Sequence, residues 1–127
     1  MKILVTGSSR GIGKAIANAF LVNGYSVIGT STRTINDYTN NDYQHIVCDL
    51  SKEEEISTLK KAFLGENLPE LLINNAGMFR DADFGIPDEE FLETWDVTQQ
   101  VNLRSAALLC KWAINAWSEH GIEGRII

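Results

Sequence analysis

Gly7, Gly11 and Gly13 sit in the stretch Thr6-Gly7-Ser8-Ser9-Arg10-Gly11-Ile12-Gly13. Before it lies a short apolar run containing Leu4 and Val5; after it, Ile12, Ala15, Ile16, Ala19 and Phe20 recur at helical spacing. A strand that turns through glycines into a helix suits the binding of a pyrophosphate. Without Cβ the chain can turn sharply, and phosphate oxygens can approach backbone N–H groups left open at the helix N-terminus. The spacing is Gly-x-x-x-Gly-x-Gly, which departs from the usual Gly-x-Gly-x-x-Gly turn. The same glycines would also serve a tight turn with no ligand, so residues further along must decide.

For such a turn to face a ligand, its strand must lie in a parallel sheet covered on both faces, as the unalternating Leu4-Val5 run predicts. Asn23-Gly24 stops the first helix, and residues 25–30 read as a second strand. A polar stretch rich in Thr, Asn and Asp follows, then a third strand at His45-Ile46-Val47-Cys48; that crossover leaves room for a short helix or none. Ser51 and Glu54 fit a capping box that opens a helix with Ile56, Leu59 and Phe63 on one face, closed by Gly65. Leu71-Leu72-Ile73 is a fourth strand running into Asn74-Asn75-Ala76-Gly77, and residues 78–87 form an exposed loop.

Asp88 can cap a helix start, and residues 95–119 read as one long helix with a broad apolar surface: Val97, Val101, Ala106, Leu108, Leu109, Ala113, Ile114 and Trp117. Gly121 and Gly124 close it, and Arg125-Ile126-Ile127 begins a fifth strand. Strands alternating with helices imply an α/β fold, a doubly wound, mostly parallel sheet in three α/β/α layers that ends just after the fifth strand starts.

With 127 residues, the chain suffices for one domain and is too short for two. The net charge of −6 argues against nucleic acid or anionic membrane as the main partner, so any phosphate recognition must be local. No apolar run approaches the roughly 18 residues of a membrane span, and Met1-Lys2 leads straight into the first strand, so a cytoplasmic location is expected. Cys48 and Cys110 show neither metal-ligand spacing nor a disulfide pattern and read as small buried side chains; His45 and His120 read as structural.

The glycine turn, Asp49 just past the third strand, Asn74 to Gly77 after the fourth and Asn102 inside the long helix occur in an order and at separations that resemble the classical short-chain dehydrogenases/reductases over the whole chain. The turn is most like that of the 3-oxoacyl-(acyl-carrier-protein) reductase branch. The resemblance implies a Rossmann-like fold in which Gly7, Gly11 and Gly13 line the pyrophosphate site and Ile12 sits near the nicotinamide. It implies that Asp49, with Leu50 beside it, meets the adenine, although Asp49 also suits a helix-flanking role. Asn75, Ala76 and Gly77 would pass the cofactor ribose, while Asn74 is better explained as a sheet-stabilising hydrogen-bonder.

Within that resemblance the cofactor is argued from charge. An acid near the end of the second strand holds the 2′-hydroxyl of NAD, whereas neutral or basic groups admit the 2′-phosphate of NADP. Here the segment reads Thr30-Ser31-Thr32-Arg33, with no acid before Asp37. Arg10 adds a guanidinium and Ser9 a hydroxyl. NADP(H) is therefore favoured over NAD(H), the plainer alternative being that Arg10 and Arg33 are solvated surface charges.

By the same resemblance, catalysis uses Asn, Ser, Tyr and Lys, of which only Asn102 has a counterpart. No Tyr-x-x-x-Lys exists, because Tyr25, Tyr38 and Tyr43 are followed four residues later by Gly29, Asp42 and Val47. The expectation is an N-terminal fragment of an oxidoreductase that moves hydride to or from a carbonyl or secondary alcohol, itself inactive. The alternative is a non-catalytic dinucleotide-binding module or decayed gene product. Self-association is expected through the exposed fifth strand and the helix bearing Asn102, with Leu108, Trp112 and Trp117 facing outward.

Overall fold

Along β1 (Lys2–Val5), successive side chains leave on opposite faces and both faces are apolar: Ile3 and Val5 join one core, Leu4 the other. The computed structural model describes every residue except Asn36, Asp37, Thr39 and Glu66. Asp37, the first acid after the second strand, thus lies outside the described residues. β1 is the centre of a parallel sheet with β2 (Ser26–Ser31), β3 (Tyr43–Val47), β4 (Leu71–Ile73) and β5 (Arg125–Ile126), in the order β3-β2-β1-β4-β5. In register, Val5 lies beside Gly29 on one side and Ile73 on the other.

The two apolar faces explain the layers. α1 (Gly11–Val22) lays Ala17 and Leu21 over Ile3, Val5, Val27, Leu71 and Ile73. The opposite face, with Leu4, Ile28 and Leu72, is covered by α2 (Glu53–Leu59) through Ile56 and Leu59 and by a 3₁₀ turn (Lys60–Phe63) through Phe63. A long helix completes this layer. It runs as α3 (Asp88–Gln99), a π-helical segment (Gln100–Arg104) and α4 (Ser105–His120), the last contributing Leu109, Ala113 and Trp117. Full burial of each such side chain is worth about 1.5–3 kcal/mol, so both layers are firmly seated. Among the described residues of the β2–β3 crossover there is no helix.

Several local expectations need correction. Ser51 does not cap α2. The Asp49 carboxylate accepts both its N–H and its O–H, at 2.9 and 2.7 Å; Leu50 and Ser51 form a turn closed by the Lys52 N–H on the Asp49 carbonyl at 3.0 Å, and Lys52 is extended before the helix begins. Glu55 rather than Glu54 reaches back, accepting the Asp49 N–H at 2.8 Å. Asp88 is the first residue inside α3, not its cap; with Glu89 and Glu90 it puts negative charge on the helix N-terminus, where the dipole favours it. The long helix starts earlier than residue 95 because this first stretch buries no side chain and so carries no apolar period.

Trp117 is buried, not outward: its Nε1 donates to the Pro69 carbonyl at 2.7 Å, and its ring fills the space left by the absent Cβ of Gly124. Gly121 alone closes α4, in the left-handed conformation. Leu108, Trp112 and Cys110 are half-buried, and Cys48 is fully buried.

Candidate functional site

Four strand ends converge where the sheet's chain order reverses about β1, the place where open α/β sheets bind ligands. The turn after β1 is possible because Gly7 and Gly11 take φ of +68° and +55°, which side chains with a Cβ rarely adopt. Gly13 is needed for a different reason: a Cβ there would collide with the Gly7 carbonyl and the Asn75 amide. That amide donates to the Thr6 and Gly7 carbonyls at 2.9 and 3.2 Å. Thr6 Oγ1 accepts the N–H groups of Asn75 and Ala76 at 3.1 and 3.0 Å, and Thr30 Oγ1 accepts that of Gly7 at 3.2 Å. The glycine turn is therefore laced to β4 on one side and β2 on the other.

The result is an open cleft of about 780 Å³. The glycine turn lines it with Gly7, Ser9, Arg10, Gly11, Ile12 and Gly13. The end of β2 supplies Ser31, Thr32 and Arg33, the end of β3 Asp49 and Leu50, and the end of β4 Asn75, Ala76 and Gly77. Among the described residues no side chain caps α1, so its first-turn N–H groups are left for an acceptor from outside the helix. A glycine cradle, an uncapped helix and a cleft of this size fit a bound dinucleotide. Thr30, Cys48, Ser51, Met78, Arg80, Val97 and Val101 also line the cleft, although the sequence did not mark them as cofactor residues; Arg80, a cation in an aperiodic loop, offered the clearest signal.

The electrostatics are local. Arg10, Arg33 and Arg80 bring three guanidiniums to a chain of net charge −6, and Asp49 brings a carboxylate to the far side. Burial pushes the Asp49 carboxyl up, but the N–H and O–H of Ser51 and the nearby Lys52 ammonium prevail and hold it below the usual carboxylate range. Among the described residues its Oδ2 has only Lys52, at 4.0 Å, and so can still accept. Burial, with Glu55 and Asp49 adding negative charge nearby, pushes the Cys48 thiol up to about 11. It is a protonated part of the cleft wall.

Asn102 lies in the π-helical segment, outside the cleft lining. Its Oδ1 accepts the Met78 N–H at 2.8 Å and its Nδ2 donates to the Met78 carbonyl at 2.7 Å, pinning the loop after β4 to the long helix. Asn74 ties sheet edges through its backbone N–H, which donates to the Ile127 carbonyl at 2.8 Å. Its side-chain Nδ2 reaches Cys110 Sγ at 3.5 Å, and its Oδ1 is buried without a partner among the described residues. His45 is held by hydrogen bonds, His120 Nδ1 lies 2.9 Å from the Ala116 carbonyl, and no group of three His, Cys, Asp or Glu among the described residues could hold a metal. No helix among them is long and apolar enough to cross a membrane.

A parallel sheet of this order with a glycine turn at its switch point is of the Rossmann-like α/β class. The short chain dehydrogenase family model matches residues 1–127, and the chain belongs to that family. It is 35% identical over 130 residues to the 3-oxoacyl-(acyl-carrier-protein) reductase FabG of Vibrio cholerae serotype O1, covering 98% of this chain and 52% of that protein. The FabG of Escherichia coli K12 is 35% identical over 131 residues with the same coverage. The crystal structure of a short chain dehydrogenase from Leptospira borgpetersenii with bound NAD+ matches with a TM-score of 0.82 at 30% identity, covering 98% of this chain and 49% of that one. The chain thus spans about half the length of the relatives it matches.

Proposed function

We propose that these residues are the dinucleotide-binding domain of an NADP(H)-dependent short-chain oxidoreductase acting on a carbonyl or secondary alcohol. The observation that carries the reading is the cleft wall at the end of β2, where Ser31, Thr32 and Arg33 line the same cleft as Arg10 with no carboxylate among the described residues of that segment. Guanidiniums and hydroxyls suit a 2′-phosphate. In this reading the first turn of α1 binds the pyrophosphate, Asp49 Oδ2 accepts from the adenine amino group, and Asn75 to Gly77 border the nicotinamide ribose. The cofactor supplies hydride chemistry; this chain's residues bind and orient it.

Asn102 acts here through the backbone of Met78, keeping the loop after β4 in place. A Ser, a Tyr and a Lys for proton transfer would come from elsewhere in the whole protein, and the 127 residues alone bind without turning over. Leu103 and Ile114, exposed on the long helix, support an oligomer contact there. The reading is tested by fluorescence titration of the 127-residue chain with NADPH and NADH. Tighter binding of NADPH is expected, and equal or tighter binding of NADH would refute the cofactor assignment.

A further inference from the structure

Behind the cleft, a hydrogen-bonded relay joins the end of β2 to the glycine turn. Tyr43 and His45 alternate along β3 and so point to one face of the sheet, the face covered by α1. Tyr43 OH meets Ser8 Oγ at 2.8 Å and His45 Nδ1 at 3.3 Å. His45 Nε2 lies 3.2 Å from both Ser31 Oγ and the Arg33 carbonyl. Since a carbonyl can only accept, Nε2 carries the proton toward Arg33, and Nδ1 of the neutral ring is left to accept from Tyr43. Ser8 is fully buried in the glycine turn, and Tyr38 stacks on Tyr43 at 3.7 Å while donating to the Ser8 carbonyl at 3.0 Å.

The relay has a sequence cause. Gly29 lies beside His45 in the sheet, and a Cβ at Gly29 would occupy the positions of Tyr43 OH and Ser8 Oγ. The Tyr38–Tyr43 stack covers this part of the α1 face in a crossover whose described residues form no helix. Without the relay, backbone bonds would still hold the end of β2: the Ser31 carbonyl accepts the Cys48 N–H at 2.8 Å and the Thr30 carbonyl accepts the Ser8 N–H at 2.9 Å. Ser31 Oγ would still donate to the Arg33 carbonyl at 2.6 Å, but that carbonyl, past the end of the strand, would lose its bond to a β3 side chain.

On the reading that the cleft takes a nicotinamide adenine dinucleotide, we propose that Tyr43 and His45 are positioning residues that set its discrimination between a 2′-phosphate and a 2′-hydroxyl. They do so by fixing the Arg33 carbonyl, and with it the Ser31–Thr32–Arg33 wall, relative to the glycine turn. Neither side chain lines the cleft, so neither contributes affinity by contact.

The test is calorimetric titration of the 127-residue chain and its variants with adenosine 2′,5′-bisphosphate and with AMP, which differ only in the 2′-phosphate. Wild type prefers the bisphosphate. His45→Ala and Tyr43→Phe weaken the bisphosphate roughly five- to tenfold, the size of one net hydrogen bond, and change AMP by less than about twofold. His45→Gln, which keeps a donor near Nε2, restores most of the preference; Tyr43→Phe keeps the stack and guards against a variant that fails to fold. An unchanged preference in the variants, parallel loss of both nucleotides, or His45→Gln no better than His45→Ala would each overturn the positioning role alone. A wild-type chain that binds neither nucleotide would overturn the reading of the cleft and this proposal with it.

Discussion

Replacing Gly13 by alanine sets two effects of opposite sign against each other. Gly13 lies in the first turn of α1 and is not among the glycines with positive φ, so alanine should gain roughly 0.5–1 kcal/mol from the reduced conformational entropy of the unfolded chain. The new methyl, however, would overlap the Gly7 carbonyl and the Asn75 amide nitrogen. The Asn75 side chain could swing aside, but the Gly7 carbonyl is backbone, so α1 must move back from the turn, an overpacking cost of about 1–3 kcal/mol that also strains the Asn75 bonds to the Thr6 and Gly7 carbonyls. Taking this cost as about 2–3 kcal/mol, the net expectation is destabilisation by about 1–2 kcal/mol. Urea unfolding reads this as a lower midpoint by somewhat under 1 M at unchanged slope. Gly11→Ala is the control: nothing lies within 4 Å of the added methyl, so only the strain of φ +55° acts. A Gly13→Ala chain as stable as wild type, or more so, would refute the claim that this glycine is fixed by packing.

Other outcomes follow from the same contacts. Thr6→Val keeps the shape but strips the acceptor from the Ala76 N–H and one of two from the Asn75 N–H, which keeps the Ile73 carbonyl at 3.1 Å, and should cost about 1–2 kcal/mol, read as a melting temperature lower by roughly 3–8 °C. Arg33→Asp, which places a carboxylate at the end of β2, should weaken NADPH at least about tenfold in fluorescence titration while leaving NADH nearly unchanged. Asp49 has a folded-state pKa below its unfolded one, so its stabilisation is complete above about pH 4 and drains away as pH falls through the folded value. The stability difference between wild type and Asp49→Asn should therefore stay constant above about pH 5 and narrow as pH falls below about 4, as followed by urea unfolding at each pH.

The parts legible in the sequence were those fixed by backbone geometry or by two-sided burial. Ile3, Leu4, Val5, Leu71, Leu72 and Ile73 are apolar on both faces because helices cover both, and the glycines mark a turn few other residues can make. What escaped depends on competition between neighbours. Ser51 has a capping residue's chemistry, but Asp49 engages its hydroxyl first. Residues 88–94 are helical through continuation and N-terminal charge rather than an apolar stripe, so periodicity could not find them. Trp117 looked like one more apolar residue on a broad surface; its burial depends on Gly124 and the Pro69 carbonyl, both brought to it by the fold. Tyr38, Tyr43 and His45 lie in or next to a polar crossover, and their association is set by strand register and by the space above Gly29.

The most direct measurement is amide chemical-shift mapping of the 127-residue chain titrated with NADPH. The account predicts shifts concentrated at Gly7 to Gly13, Ser31 to Arg33, Asp49, Leu50 and Asn75 to Gly77, the four strand ends that line the cleft. Shifts confined to other surfaces, or no saturable shifts at millimolar NADPH, would contradict it.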